Sequence, residues 1–296
     1  MKTEKAITRR DFIKGAAGIV LTTAIGSSLP SAGEAETRSR VVVVRDANVL
    51  GPQGEINSKV LQSMLDEAVR ALTNKKDAQA GWKTLIKKSD IVGIKTNAWR
   101  QLPTPPELEQ AIKQRVIEVG VAESNMSIDD KGVRNNPIFQ SSTAIVNTRP
   151  LRTHHWAGTG TCLKNYIMFV PTPSEYHPDG CAELGKIWTL PVVKGKNRLN
   201  ILAALTPQFY GRGANFFDRR YVWQYKGIIV GTDPVAVDAV GAELLRLKRI
   251  AHFSEDMALD VAPRHIQVAD QKYKLGNSDL KKIDIVKIGW KEDILL

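Results

Sequence analysis

The stretch from Arg152 to Asn165, "RTHHWAGTGTCLKN", gathers two imidazoles, a Gly/Thr run, a thiol and a Lys-Asn pair. Imidazole titrates near neutral pH and can act as acid, base or metal ligand. A flexible Gly/Thr loop can turn N–H and hydroxyl groups toward an anion, which makes Thr159 and Thr161 candidate ligand contacts. Lys164 beside Asn165 offers a cation and an amide, and "GIKTN" repeats the pairing with Lys95 and Asn97. Two apart on a strand, Lys95 and Asn97 would project to one side and grip one anionic group. By the same alternation His154 and His155 point to opposite faces, so one of them serves a given site.

Other polar groups close apolar runs elsewhere. "VVVVRDAN" stops at Arg45, Asp46 and Asn48, "GIIVGTDP" at Thr232 and Asp233, and "EYHPDG" contributes His177. Arg212 sits in a Gly211-Arg212-Gly213 turn. Asp233 followed by Pro234 also reads as a helix N-cap and first residue, and Asp238, one turn on, faces either the site or solvent. The chemistry that accommodates this set is the binding of a small carboxylate or phosphate. Lys95, Asn97, Arg152, Thr159, Thr161, Asn165, Arg212 and Thr232 are the ligand-binding candidates, and His154, Asp46, Asp233 and Lys164 the catalytic ones. His154, His177 and Asp233 form a candidate set for a divalent metal, although their spacing matches no strong zinc signature.

The elements that must position these groups are short buried-strand runs alternating with helical patterns. Strands are expected at 41–46, 90–95, 126–128, 144–147, 199–205, 226–230 and 283–288, and helices at 58–72, 106–119, 182–188 and 234–247. Runs apolar throughout suit strands covered on both faces, and intervening helices suggest parallel pairing. The expected fold is a single α/β domain over 36–296, a mostly parallel central sheet with helices on both faces. In such a sheet ligands collect at the carboxyl ends of the strands, so a single site needs these ends side by side.

Residues 1–35 read as a twin-arginine export signal. Arg9-Arg10-Asp11-Phe12-Ile13-Lys14 precedes a Gly/Ala-rich apolar run too short to span a bilayer, and small residues follow. The expectation is a periplasmic protein, handled by the twin-arginine translocase and a signal peptidase, with no transmembrane anchor in its mature form. The formal charge of +11 would invite nucleic acid in a cytoplasmic protein, but export leaves anionic small molecules, lipid head groups or acidic proteins. Cys162 and Cys181 are too few for an intrinsic iron–sulfur cluster. They either pair, which would contribute about 3 kcal/mol, or stand as buried thiols.

In order along the chain, "VGIKTN", "RTHHWAGTGTCLKN", "EYHPDG" and "GTDPVAVDAVGAELLRL" resemble the blocks of the domain-of-unknown-function 362 family over most of 41–250. The resemblance places family blocks on Lys95 and Asn97, on Arg152, Thr153 and His154, on Lys164 and Asn165, and on Thr232, Asp233 and Pro234. It favours His154 over His155, and Arg152 stands where the family commonly has lysine. Many members resemble fusions to a ferredoxin-type module, for which this chain has no Cys-x-x-Cys run. The resemblance implies no settled reaction. An enzyme acting on a small anion and a non-catalytic binding or redox-accessory protein, with a redox partner, both fit these residues.

Overall fold

Val41, Val42, Val43 and Val44 are buried, the odd members in one hydrophobic core and the even members in the other. A strand apolar on both faces must lie inside a sheet covered on both sides, and β1 (Ser39–Arg45) does. The computed structural model describes residues 38–296, so the expected export signal at 1–35 lies outside the described residues. The chain continues through α1 (Ser58–Thr73), α2 (Ala78–Leu85), β2 (Val92–Lys95), α3 (Pro106–Val119), β3 (Met126–Asp129), α4 (Pro137–Ser141), β4 (Ala144–His154), β5 (Gly158–Gly160), α5 (Cys162–Asn165) and α6 (Pro178–Cys181). It closes with β6 (Asn197–Gln208), β7 (Gly227–Gly231), α7 (Pro234–Phe253), α8 (Arg264–Gln271) and β8 (Ile283–Gly289).

The strands form one sheet in the order β3-β2-β4-β6-β7-β1-β8, with β5 paired to β4. Pairs β3-β2, β2-β4, β4-β6 and β1-β8 are parallel. Leu61, Leu65 and Val69 of α1, Trp82 of α2 and Leu108, Ile112 and Val116 of α3 cover one face. Leu163 of α5, Val237, Val240 and Leu244 of α7 and Ile266 of α8 cover the other. The fold is α/β, as the alternation of runs implies.

Two departures matter for the site. First, β7 runs antiparallel to both neighbours, β6 and β1. Between β6 and β7 the chain makes only short 3-10 turns, and without a crossover helix it returns beside β6 in the opposite sense. Thr232 and Asp233, which follow β7, therefore lie away from the carboxyl end of β4, beside the start of β1. Second, β4 extends to His154, well past the expected end at 147, so "TRPLRTH" is strand. The expected helix at 182–188 is a 3-10 segment, Ala182–Thr189.

Beside β1 the Asp233 carboxylate accepts from the N–H groups of Val235 and Ala236, from Ser39 Oγ at 2.5 Å and from Asn277 N at 2.9 Å. It caps α7 and ties it to the start of β1. Asp233→Ala is expected to lower stability by about 1–2 kcal/mol in urea unfolding, with Asp233→Asn retaining most of the cap, and neither change altering ligand binding at the cavity described below.

Candidate functional site

The carboxyl ends of β2 and β4 open into a cavity of about 260 Å³. β4 supplies Arg149, Arg152 and His154, the turn after it His155 and Trp156, and α5 supplies Lys164 and Asn165. Asn97 and Trp99 enter from the loop after β2, and His177 precedes α6. Ile167, Met168 and Pro173 form an apolar wall. Arg149 and Arg152, three apart, would face opposite sides of a regular strand. The register shift between Pro150 and Arg152 turns both toward the cavity.

A row of buried polar side chains supports the floor. Lys95, Asn147 and Asn200 lie opposite one another across β2, β4 and β6, and the row ends at Gly231 of β7. Lys95 Nζ donates to Asp130 Oδ1 at 2.5 Å, to the Thr96 carbonyl at 2.7 Å and to Asn165 Oδ1 at 3.4 Å. The second Asp130 oxygen accepts from Ala98 N. Asn165 Nδ2 in turn donates to Asn147 Oδ1 at 2.8 Å and to the Lys95 and Thr148 carbonyls, and Asn147 donates to Asn200. The other anchor is Asp238. Fully buried in α7, it accepts from Thr161 Oγ1, Cys162 N and Leu163 N at 2.6–2.8 Å, which pins the start of α5 and so places Lys164 and Asn165.

Electrostatically the cavity is one-sided. Among the described residues, none of its lining groups is an aspartate or glutamate. Arg149, Arg152 and Lys164 are each at most 3% exposed, and the Nε atoms of Arg149 and Arg152 find no acceptor. Arg152 donates only to Asn97 Oδ1 and the Leu102 carbonyl, and Lys164 Nζ only to Cys181 Sγ at 3.4 Å. Burial pushes Arg149 down to about 10 and Lys164 to about 8, and Arg152 well below its ordinary range. Lys95 also falls to about 8 through burial, against the pull of Asp130. An uncompensated buried cation costs several kcal/mol, so an anion entering here would relieve a standing penalty.

The imidazoles answer the same field. Burial, then Arg149 and Lys164, pushes His154 far below the usual histidine range, and burial with Lys164 and His155 lowers His177 to about 4. His154 Nδ1 accepts from Trp156 N at 3.2 Å, so the proton of the neutral ring sits on Nε2. Because β4 ends at His154, the turn brings His155 alongside it, rings stacked 4.7 Å apart. Trp156 then stacks on His177 at 3.7 Å. Both histidines therefore line the cavity, contrary to the alternation expected of a strand.

Thus the structure brings Asn97, Arg152, His154, Lys164, Asn165 and His177 together. Lys95 lies beneath them, its amine taken by Asp130, and Lys95 and Asn97 converge on Asn165 Oδ1. Thr159 and Thr161 are not in a flexible loop: Gly158–Gly160 is strand β5 on β4, Thr159 is buried and Thr161 is bonded to Asp238. Arg212 is exposed and pairs with Asp260 at 3.2 Å, while Gly213, at φ +82°, packs its turn where a Cβ would overlap the Thr153 carbonyl. Asp46 follows β1, three strand positions from β4, and bonds Asn48 N. Asp233 and the exposed Thr232 line a separate cavity with Ser39, Arg40 and Asn277, so the four strand ends do not form one site, and Asp233 is not gathered with His154 and His177. Among the described residues no group of three His, Cys, Asp or Glu side chains could hold a metal ion. Cys162 and Cys181 are free thiols.

Two groups escaped the strand-end logic. Arg149 lay hidden because the strand was expected to stop at 147. Asp130 follows the run at 126–128, whose end carries "DD", and the same rule applied there would have found it.

Residues 131–243 match a family model described as Domain of unknown function (DUF362). That family is the one the ordered blocks resemble, and the match holds Arg149, Arg152, His154, Lys164, Asn165 and His177, while Lys95 and Asn97 fall before it. No curated protein and no solved structure matches the chain.

Because their folded values lie below the ordinary imidazole value, His154 and His177 bind protons more weakly folded than unfolded, so stability is expected to fall as pH drops below about 6.5. Ring-nitrogen NMR of the ligand-free protein should show both neutral at pH 6, with His177 titrating near 4. A protonated His154 at pH 6 would contradict the assigned electrostatics.

Proposed function

We propose that this protein binds a small organic anion, a carboxylate or phosphate compound, in the cavity at the carboxyl ends of β2 and β4. The observation that carries this is three buried cations, Arg149, Arg152 and Lys164, without an acidic partner among the lining groups. Guanidinium groups grip planar or tetrahedral oxyanions through paired N–H donors, and Asn97 and Asn165 add amides beside them. Trp99, Trp156, Ile167 and Met168 give the ligand an apolar neighbour, which favours an organic anion over a bare inorganic one. Gly160 contributes space, since a Cβ there would come within 3.2 Å of Arg149 Nη2. Phosphate serves as the simplest probe.

Titration calorimetry with inorganic phosphate should register one site per chain. Arg149→Gln should weaken it about tenfold or more, the scale of one lost charge-assisted contact. Above pH 8, where phosphate is already a dianion, affinity should fall, since Lys164 loses its proton there in the free protein and an anion holds that proton on. Equal affinity in Arg149→Gln, or affinity that rises above pH 8, would overturn the proposal.

Export to the periplasm belongs to the same proposal and is supported by the Arg9-Arg10 segment ahead of a short apolar run. Replacing both arginines by lysine should retain the protein in the cytoplasm on cell fractionation. Unchanged periplasmic recovery would contradict it.

A further inference from the structure

The two buried lysines make an instructive comparison. Both sit below their ordinary range, at about 8, yet their surroundings differ. Lys95 Nζ has an acceptor for each of its three protons, one of them the Asp130 carboxylate, and does not line the cavity. Lys164 Nζ has one partner, the Cys181 thiol at 3.4 Å, and sulfur is a weak acceptor. It lines the cavity at 2% exposure, beside guanidinium groups that disfavour an ammonium and with no carboxylate to hold one. An amine that is desolvated, next to fixed cations and open to a ligand cavity is the arrangement that frees a lysine lone pair for attack on a carbonyl.

We propose that Lys164 is a nucleophilic amine that forms a Schiff base with a 2-oxo acid, whose carboxylate is held by Arg149 and Arg152. The proposal rests on the anion-binding role of the cavity and narrows its ligand to a carboxylate with an adjacent carbonyl. The Lys164 nitrogen lone pair attacks the carbonyl carbon, and the C–O π pair moves to oxygen, which takes up a proton. The nitrogen gives up a proton, the resulting hydroxyl takes up a second proton and leaves as water as the C=N bond forms, and the nitrogen gives up its remaining proton. One amine and one carbonyl give one imine and one water, with no oxidant or reductant. Two protons must pass from nitrogen to oxygen during these steps, and the neutral His177 ring, which lines the same cavity, is placed to pass them on. The wall of Trp156, Ile167 and Met168 limits water and gives an apolar or aryl side chain of the 2-oxo acid a surface to pack on.

The test uses the intact protein with phenylpyruvate and sodium borohydride, followed by intact mass and peptide mapping, and phenyllactate as the carbonyl-free comparator. One adduct per chain is expected at Lys164. Its mass gain should equal the 2-oxo acid less one water plus two hydrogens, and excess phenyllactate should suppress it. Lys95 serves as the internal control and should stay unmodified. Lys164→Arg keeps the cationic charge but has no nucleophilic amine, and should give no adduct. Adducts spread over exposed lysines and insensitive to phenyllactate would overturn the proposal, as would phenyllactate binding with no trapping at Lys164. In that second case the anion site stands and the Schiff base falls. If neither compound binds, both fall together.

Discussion

Three cations buried around one small cavity, with no acidic lining group among the described residues, are the constraint on which the surrounding structure depends. Desolvating a charge is expensive, and proteins ordinarily neutralise it with a partner. Here no carboxylate pairs directly with the three cations: Asp130 and Asp238 act on Arg149 only through space, and neighbouring polar groups fix the cations in place. Asn97 accepts from Arg152, Asp238 pins the start of the helix that carries Lys164, and Cys181 is the one acceptor for its amine. Asp130, a buried acidic group beneath this floor, is paired with Lys95. The neutral histidines follow from the same field. Charge, protonation and support are thus consequences of one arrangement at the ends of β2 and β4.

Sheet topology decides which sequence candidates can take part. Parallel β2 and β4 bring their carboxyl ends together, and the register shift near Pro150 gathers Arg149 with Arg152. Antiparallel β7 sends Asp233 away to cap α7, although its helix carries Asp238 back beneath the cavity. One helix therefore carries both the cap tied to β1 and the anchor of α5. The matched DUF362 segment contains both aspartates and the three cations, so both devices lie within it.

Much of this was legible in the residues. Runs rich in valine and isoleucine placed β1 and β7, and the Asp-Pro pair marked the start of α7, because burial on both faces and capping are local properties. The Lys-Asn pairs drew attention to Lys95, Asn97, Lys164 and Asn165, but their roles depend on neighbours far along the chain. Whether a lysine meets a carboxylate, as Lys95 meets Asp130, or only a thiol, as Lys164 does, is set by strand order. The direction of β7 was illegible for the same reason, since a run of five buried residues looks alike either way. His155 joined His154 because the strand ended between them, and a boundary shift of one residue reverses an alternation argument.

The central claim is that the cavity holds an anion between Arg149, Arg152 and Lys164. A crystal structure of the protein grown with selenate, located by its anomalous scattering, tests it most directly. The account predicts one dominant selenium peak inside the cavity, within hydrogen-bond distance of Arg149 and Lys164. Peaks confined to exposed lysines, with the cavity empty, would contradict it.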